Sequence, residues 1–82
     1  MNLSDLPNGA RSSVCALSSG GSAVGPATLR RLAELGFIEG EPVQVLRRGP
    51  GGKEPLAVQV GDTLLALRLV EARCIQVNAV AA

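Results

Sequence analysis

Hydrophobic and polar residues alternate over short distances along this chain, and one stretch, residues 29–37, has the spacing of an amphipathic helix. At 100° per residue its leucines fall on one broad face, whereas Arg30, Arg31 and Glu34 fall on the other. The remaining apolar stretches are shorter and read as strands. The pattern therefore predicts a small β-rich domain that packs around a single short helix with a charged outer face.

Both ends of this helix are marked in the sequence. Gly25 can cap it, and Pro26 suits the first helical position because its missing N–H has no intrahelical partner there. Gly36 is placed to end the helix in a left-handed conformation, and Phe37 can then fold back onto Leu32. We predict a Schellman-type stop at this glycine.

The clearest strand signal lies in the second half of the chain. Residues 56–60 alternate with period two, which places Leu56, Val58 and Val60 on one face. The Gly-Asp pair at 61–62 is typical of a two-residue hairpin turn. Residues 63–69 are predicted to return as the second strand of this hairpin.

The other segments complete the expected fold. Leu3 and Leu6 are expected to plug one end of a barrel, and residues 78–82 are expected to form a frayed tail. We further predict strands at 12–17, 43–46 and 74–77, a helical turn at 70–73, a Ser/Gly-rich loop at 18–22 and a long loop at 47–55. Because so few strands leave exposed edges unless the sheet curls, the fold class we expect is mainly β, a small SH3-like barrel of about five strands with one short helix after the first strand. Residues 1–82 form a single domain in this interpretation.

Composition narrows the function classes. The chain has no histidine, which excludes histidine-based acid/base catalysis and histidine metal ligation. Its formal net charge of +1 is far from the basic excess of a nucleic-acid binder. Phe37 is the only aromatic residue, so the aromatic groove that an SH3-type peptide binder needs has no residues to build it. No constellation supports an enzyme.

Location is predicted from the cysteines and the apolar runs. Cys15 and Cys74 form no C-x-x-C pair, and the N-terminus does not resemble an export leader, so we expect a reduced, cytoplasmic protein. The longest apolar runs fall well short of the roughly 20 residues that cross a bilayer. Association with the inner membrane would therefore run through a partner.

The same two cysteines are the candidate metal ligands. Two thiolates fall short of the four ligands of a structural zinc site, and buried hydrophobic roles for Cys15 and Cys74 are the simpler interpretation. No cofactor is expected to be required. The alternative is a weak site for Fe²⁺ or Zn²⁺ that carboxylates such as Glu39, Glu41 or Glu71 complete, within one chain or between protomers.

Two groups of charges are candidates for partner binding. The first is the helix face with Arg30, Arg31 and Glu34, where cations precede the anion, against the order that the helix dipole favours. The second is the long loop with Arg47 and Arg48, together with Lys53. The alternative in both places is a solvated charged surface that binds nothing.

A family resemblance rests on several of these segments together. The helix and its glycine at 29–37, then Gly40, the strand at 43–48, the strand at 55–60 and the Leu-Ala-Leu-Arg segment at 65–68 resemble the ferrous iron transport protein A (FeoA) family. The chain differs from that family in its longer Ser/Gly-rich segment at 18–25 and in Cys74, where an aliphatic residue is usual.

This resemblance implies a bacterial SH3-like protein that binds the cytosolic part of FeoB, the membrane transporter of ferrous iron with a GTPase domain. It implies an accessory or regulatory role, by GTPase activation or by assembly of the complex. Because the same domain type also occurs fused to metal-dependent repressors and no DNA-binding segment is evident here, the resemblance favours the stand-alone transport member.

Overall fold

The computed structural model describes residues 1–18, 24–52 and 54–78. Within these residues a five-stranded antiparallel sheet carries one longer helix, which follows the first strand. The strands are β1 (Arg11–Leu17), β2 (Pro42–Arg48), β3 (Leu56–Val60), β4 (Thr63–Leu67) and β5 (Ile75–Val77), and the helices are α1 (Pro26–Glu34) and α2 (Leu69–Ala72). The expected mainly β class, with one short helix after the first of five strands, is thus confirmed.

The strand order across the sheet is β4-β3-β2-β1-β5. The predicted hairpin is confirmed: Val60 pairs with Thr63 across a two-residue turn, and Leu56 pairs with Leu67. Leu56, Val58 and Val60 are buried as predicted, and they form one core with residues of β2, β5 and α1. The period-two pattern therefore located the inner face of the sheet correctly.

The ends of α1 also follow the sequence prediction. Gly25 is the N-cap, and Pro26 is the first helical residue. Gly36 has φ +117°, a conformation that side chains other than glycine rarely adopt, and the N–H of Phe37 donates to the carbonyl of Leu32 over 3.1 Å. Leu32 and Phe37 are both fully buried, so the stop fixes the helix onto the core.

The N-terminus covers one edge of the sheet. Leu3 and Leu6 are buried in the core, as expected for residues that plug one end of the barrel. A short 3₁₀ turn, Leu3–Asp5, positions them, and the N–H of Val77 in β5 donates to the carbonyl of Met1 over 3.0 Å. Backbone groups at the β5 edge thus have partners from the start of the chain.

Some boundaries differ from the predicted ones. Leu69 opens α2 instead of ending β4, because the carboxylate of Glu54 accepts its N–H at 2.6 Å and ends the strand there. Strand β2 extends to Arg48, so the loop is shorter than predicted and contains the 3₁₀ turn Pro50–Gly52. Three parts of these predictions lie outside the described residues: Lys53, the predicted loop at 18–22 apart from Ser18, and the tail beyond residue 78.

Candidate docking surface

The outer face of α1 carries its charges as the sequence predicts. Arg30, Arg31 and Glu34 are all exposed. Arg31 is not fully available, because its guanidinium donates to the carboxylate of Glu71 over 3.1 Å. The Arg31 side chain is nevertheless 66% exposed, whereas that of Glu71 is only 13% exposed. Solvent therefore screens the pair from the Arg31 side, which keeps its contribution to stability small.

The observed ends of α1 change the expected relation between its charges and the helix dipole. Because α1 starts at Pro26, Arg31 lies in its last turn, where the helix dipole favours a cation. Only Glu34, the last helical residue, has the unfavourable sign. The expectation that the dipole disfavours Arg31 is therefore wrong, and Arg30 lies in the middle of the helix, where the dipole has little effect. Helix electrostatics alone thus give no reason to interpret this face as a binding surface.

The second predicted group, Arg47 and Arg48, is split by a β-bulge. The register of β2 against β3 shifts between Val45 and Arg47, so that Arg47 pairs with Ala57 and Arg48 with the buried Leu56. A bulge inserts one residue and reverses the alternation of side chains beyond it. Arg47 is consequently exposed on the outer face, whereas Arg48 is directed to the opposite side.

Arg48 binds the N-terminal segment. Its guanidinium donates to the side-chain oxygen of Asn8 at 2.7 Å and to the carbonyls of Ser4 and Leu6 at 2.8 and 2.9 Å. These bonds hold the segment that carries Leu6 into the core. No local pattern predicts this role, because it depends on the bulge and on contacts between residues 40 to 44 positions apart.

A shallow groove joins the two predicted groups. Beside α1 it is lined by Arg31, Pro55, Ala66 and Arg68, among others. Its continuation along the sheet shares Pro55 and Ala66 and ends at Arg47. The structure thus places Arg31 and Arg47 along one surface that Pro55 and Ala66 line between them, with Arg68, which was not among the predicted docking residues, beside Arg31.

The two cysteines lie in different environments. Cys15 is exposed at a bulge in β1, between Val14 and Ala16. Cys74 is fully buried, and its thiol donates to the carbonyl of Val70 over 3.3 Å. The buried role expected of Cys74 is therefore observed, whereas that of Cys15 is not. Across residues 1–18, 24–52 and 54–78, no three Cys, Asp or Glu side chains cluster as a metal site would require.

Comparisons with known proteins agree on one family. A family model described as the FeoA domain matches residues 1–79. The zinc complex of FeoA from Stenotrophomonas maltophilia, described as an SH3 domain protein and a candidate activating factor of bacterial ferrous iron transport, is 44% identical. That alignment covers 95% of this chain and 89% of the other, with a TM-score of 0.82.

Two further solved structures are similar. FeoA from Chlorobium tepidum is 38% identical over 99% of this chain and 71% of its own, with a TM-score of 0.81. A manganese-dependent transcriptional repressor shares the fold at 22% identity and a TM-score of 0.75, over 94% of this chain and 40% of its own. The search of curated proteins found no significant match.

None of the helices in the described residues is long and apolar enough to cross a membrane.

Proposed function

The chain belongs to the FeoA family, and from this premise we propose that it is a non-enzymatic accessory protein of ferrous iron uptake that docks on the cytosolic part of FeoB. The family is linked to ferrous iron transport and is not a known enzyme family. The proposal places the protein in the cytoplasm and at the inner membrane only through its partner.

The observation that carries this proposal is the continuous groove from α1 to Arg47. Exposed Arg31 lies at one end, Arg47 at the other, and Pro55 and Ala66 line the groove between them. Arg30 is exposed on α1 next to Arg31 in the chain, outside the groove lining. Charged residues around an apolar centre are the usual composition of a transient protein interface. An acidic strip on the partner would meet both ends of the groove at once.

In this arrangement the arginines attract the acidic surface of the partner before contact, and Pro55 and Ala66 add apolar contact area once the two proteins have docked. Electrostatic complementarity raises association rates and selects the partner more than it adds affinity. Glu34 at the end of α1 would repel an acidic surface placed too far along the helix, and so would fix the register of docking. Arg48 also lines the groove next to Arg47, but its guanidinium is bonded to the N-terminal segment, so it is proposed to act indirectly.

The test is binding to the cytosolic domain of FeoB from the same organism. We would measure affinity by biolayer interferometry for the wild type and for the double variant Arg30→Glu with Arg31→Gln. Glutamine at 31 avoids placing a second carboxylate against Glu71. We expect the double variant, and separately Arg47→Glu, to bind at least about tenfold more weakly, with a strong salt dependence in the wild type.

Arg11→Glu is the matched control, because Arg11 is exposed on β1 and lines neither part of the groove. Equal loss in the control and in the groove variants would mean that net charge, not this surface, governs binding. Absence of binding by the wild type would remove the partner itself. The GTPase rate of FeoB with and without the protein, at matched concentration and salt, then separates activation from assembly.

Metal binding is the second candidate function, and the zinc complex of the S. maltophilia relative is the observation that favours it. In this chain the exposed Cys15 is the accessible thiol, and Cys74 is enclosed by the core. A divalent ion would therefore be held by Cys15 together with carboxylates of another protomer, in agreement with thiolate and carboxylate chemistry for Zn²⁺. Cys74 would contribute only if β5 moved.

Calorimetric titration with Zn²⁺ and, without oxygen, with Fe²⁺ tests this candidate. Loss of heat in Cys15→Ser with retention in Cys74→Ser supports a site at Cys15. If the binding heat is unchanged in both variants, the metal binds at a site without either cysteine. If titration of the wild type gives no binding heat, metal binding is excluded as a function.

A further inference from the structure

Strand β4 is an open edge of the sheet. It ends the strand order, and among the described residues no further strand lies beside it. The opposite edge, β5, is covered by the N-terminus through Met1 and Asn2. A free edge strand presents unpaired N–H and C=O groups that can accept another strand.

The register identifies which groups are free. The N–H of Gly61 donates to the carbonyl of Pro42 in β2. Because backbone groups alternate in direction along a strand, those of Val58 and Val60 point the other way, to β4. Their partners Leu65 and Thr63 are thereby occupied. The backbone groups of the residues between and beyond them, Leu64 and Ala66, point away from the sheet.

The side chains of this edge are apolar and exposed. Leu64 is 67% exposed, the highest value among the large hydrophobic residues described, and Ala66 is also exposed. Natural proteins usually protect a free edge with lysine, proline or a bulge. Strand β4 has none of these between Thr63 and Leu67. Its edge can therefore pair with another strand.

The charges that flank β4 indicate what covers it. Asp62 precedes the strand and Arg68 follows it, each three residues from the central Leu65. Both are exposed, and neither side chain makes an ion pair within the described residues. An antiparallel second copy, centred on Leu65, would bring Asp62 of each copy opposite Arg68 of the other.

We propose that the β4 edges of two copies pair antiparallel about Leu65 to form a symmetric dimer with a continuous sheet. Leu64 of each copy exchanges both backbone hydrogen bonds with Ala66 of the other, which gives four bonds. The two Leu64 side chains then cover the two Ala66 residues on the outer face. The two ion pairs between Asp62 and Arg68 select this register over shifts along the strand.

The pairing is isologous, as expected for a two-fold dimer. A contact between two five-residue strands is small, at the low end of specific interfaces, so we expect an association that depends on protein concentration. This inference does not rest on docking to FeoB, because it is argued from the β4 backbone, Asp62 and Arg68, although Ala66 and Arg68 also line the groove.

Sedimentation equilibrium over a concentration series into the millimolar range tests the dimer. We expect Asp62→Lys alone and Arg68→Glu alone to weaken association at least about tenfold, because each places like charges opposite one another. The double variant Asp62→Lys with Arg68→Glu exchanges both charges and is expected to restore the dimer to within about threefold of the wild type. Arg73→Glu, an exposed change of equal charge outside β4, should leave it unchanged.

Two further results decide the proposal. Leu64→Lys places a charge on the edge and should leave a folded monomer, verified by circular dichroism. A wild type that stays monomeric over the whole series overturns the proposal, even if the FeoB domain binds at β4. Association that survives both single charge changes overturns the register and with it the pairing about Leu65.

Discussion

At the scale of single residues, Arg47 and Arg48 show how one inserted residue separates two neighbouring arginines. Alternation from Val43 and Val45 would have placed Arg47 inward and Arg48 outward, yet the bulge at Leu46 reverses this order. Arg47 is thus available to a partner, and Arg48 is a structural residue. Which of the two arginines is exposed at the surface therefore depends on the strand register as well as on the sequence.

Arg48→Ala is expected to destabilise the protein by about 1.5–3 kcal/mol, because the carbonyls of Ser4 and Leu6 lose a charged donor. The free energy of unfolding from urea titrations measures this loss. Arg47→Ala, one position earlier and exposed, is the matched control and should change stability by less than about 0.5 kcal/mol. Equal effects of the two variants would contradict the role assigned to Arg48.

The two thiols are expected to differ in reactivity because their exposure differs. Cys15 is exposed, whereas Cys74 is fully buried in the core. In native buffer a thiol reagent should modify one equivalent rapidly, and in denaturant two equivalents. Peptide mapping should place the native modification on Cys15, and rapid native labelling of Cys74 would contradict the packing of β5.

At the scale of elements, the sequence predicted most features that depend on residues close together in the chain. The ends of α1, the inner faces of the β3–β4 hairpin and the N-terminal plug followed from glycine, proline and period-two patterns. The bulges, the bonds of Arg48 and the groove to Arg47 did not, because each depends on strands that meet only in the folded chain. The exposed Cys15 escaped prediction for the same reason, since a bulge in β1 places it outward.

The glycine stop of α1 offers a prediction at this scale. Gly36→Ala is expected to destabilise the fold by about 1–3 kcal/mol, because an alanine must adopt φ near +117° there. Space is not the cause, since the nearest atom to an added Cβ belongs to Val60 at 3.7 Å. Thermal unfolding measures the loss, and Glu34→Gln, an exposed change in the same helix end, should stay within about 0.5 kcal/mol.

At the scale of the whole molecule, the two edges of the sheet differ in what covers their backbone groups. The N-terminus covers β5, and Arg48 in turn holds the N-terminal segment. Within residues 1–18, 24–52 and 54–78 no strand pairs with the outer edge of β4. Ala66 of this strand and Arg68 just after it also line the groove. A second copy on β4 and a partner in the groove would therefore overlap, which makes self-association a means to limit docking when the protein is abundant.

This asymmetry predicts an alternating pattern of hydrogen exchange in dilute protein, where the monomer dominates. The amides of Leu65 and Thr63 face β3 and should exchange at least about tenfold more slowly than those of Leu64 and Ala66. Val77 serves as the control, because its N–H at the other edge donates to Met1 and should be protected. As concentration rises, protection should increase at Leu64 and Ala66 alone. Uniform exchange along β4 would contradict the direction assigned to its backbone groups.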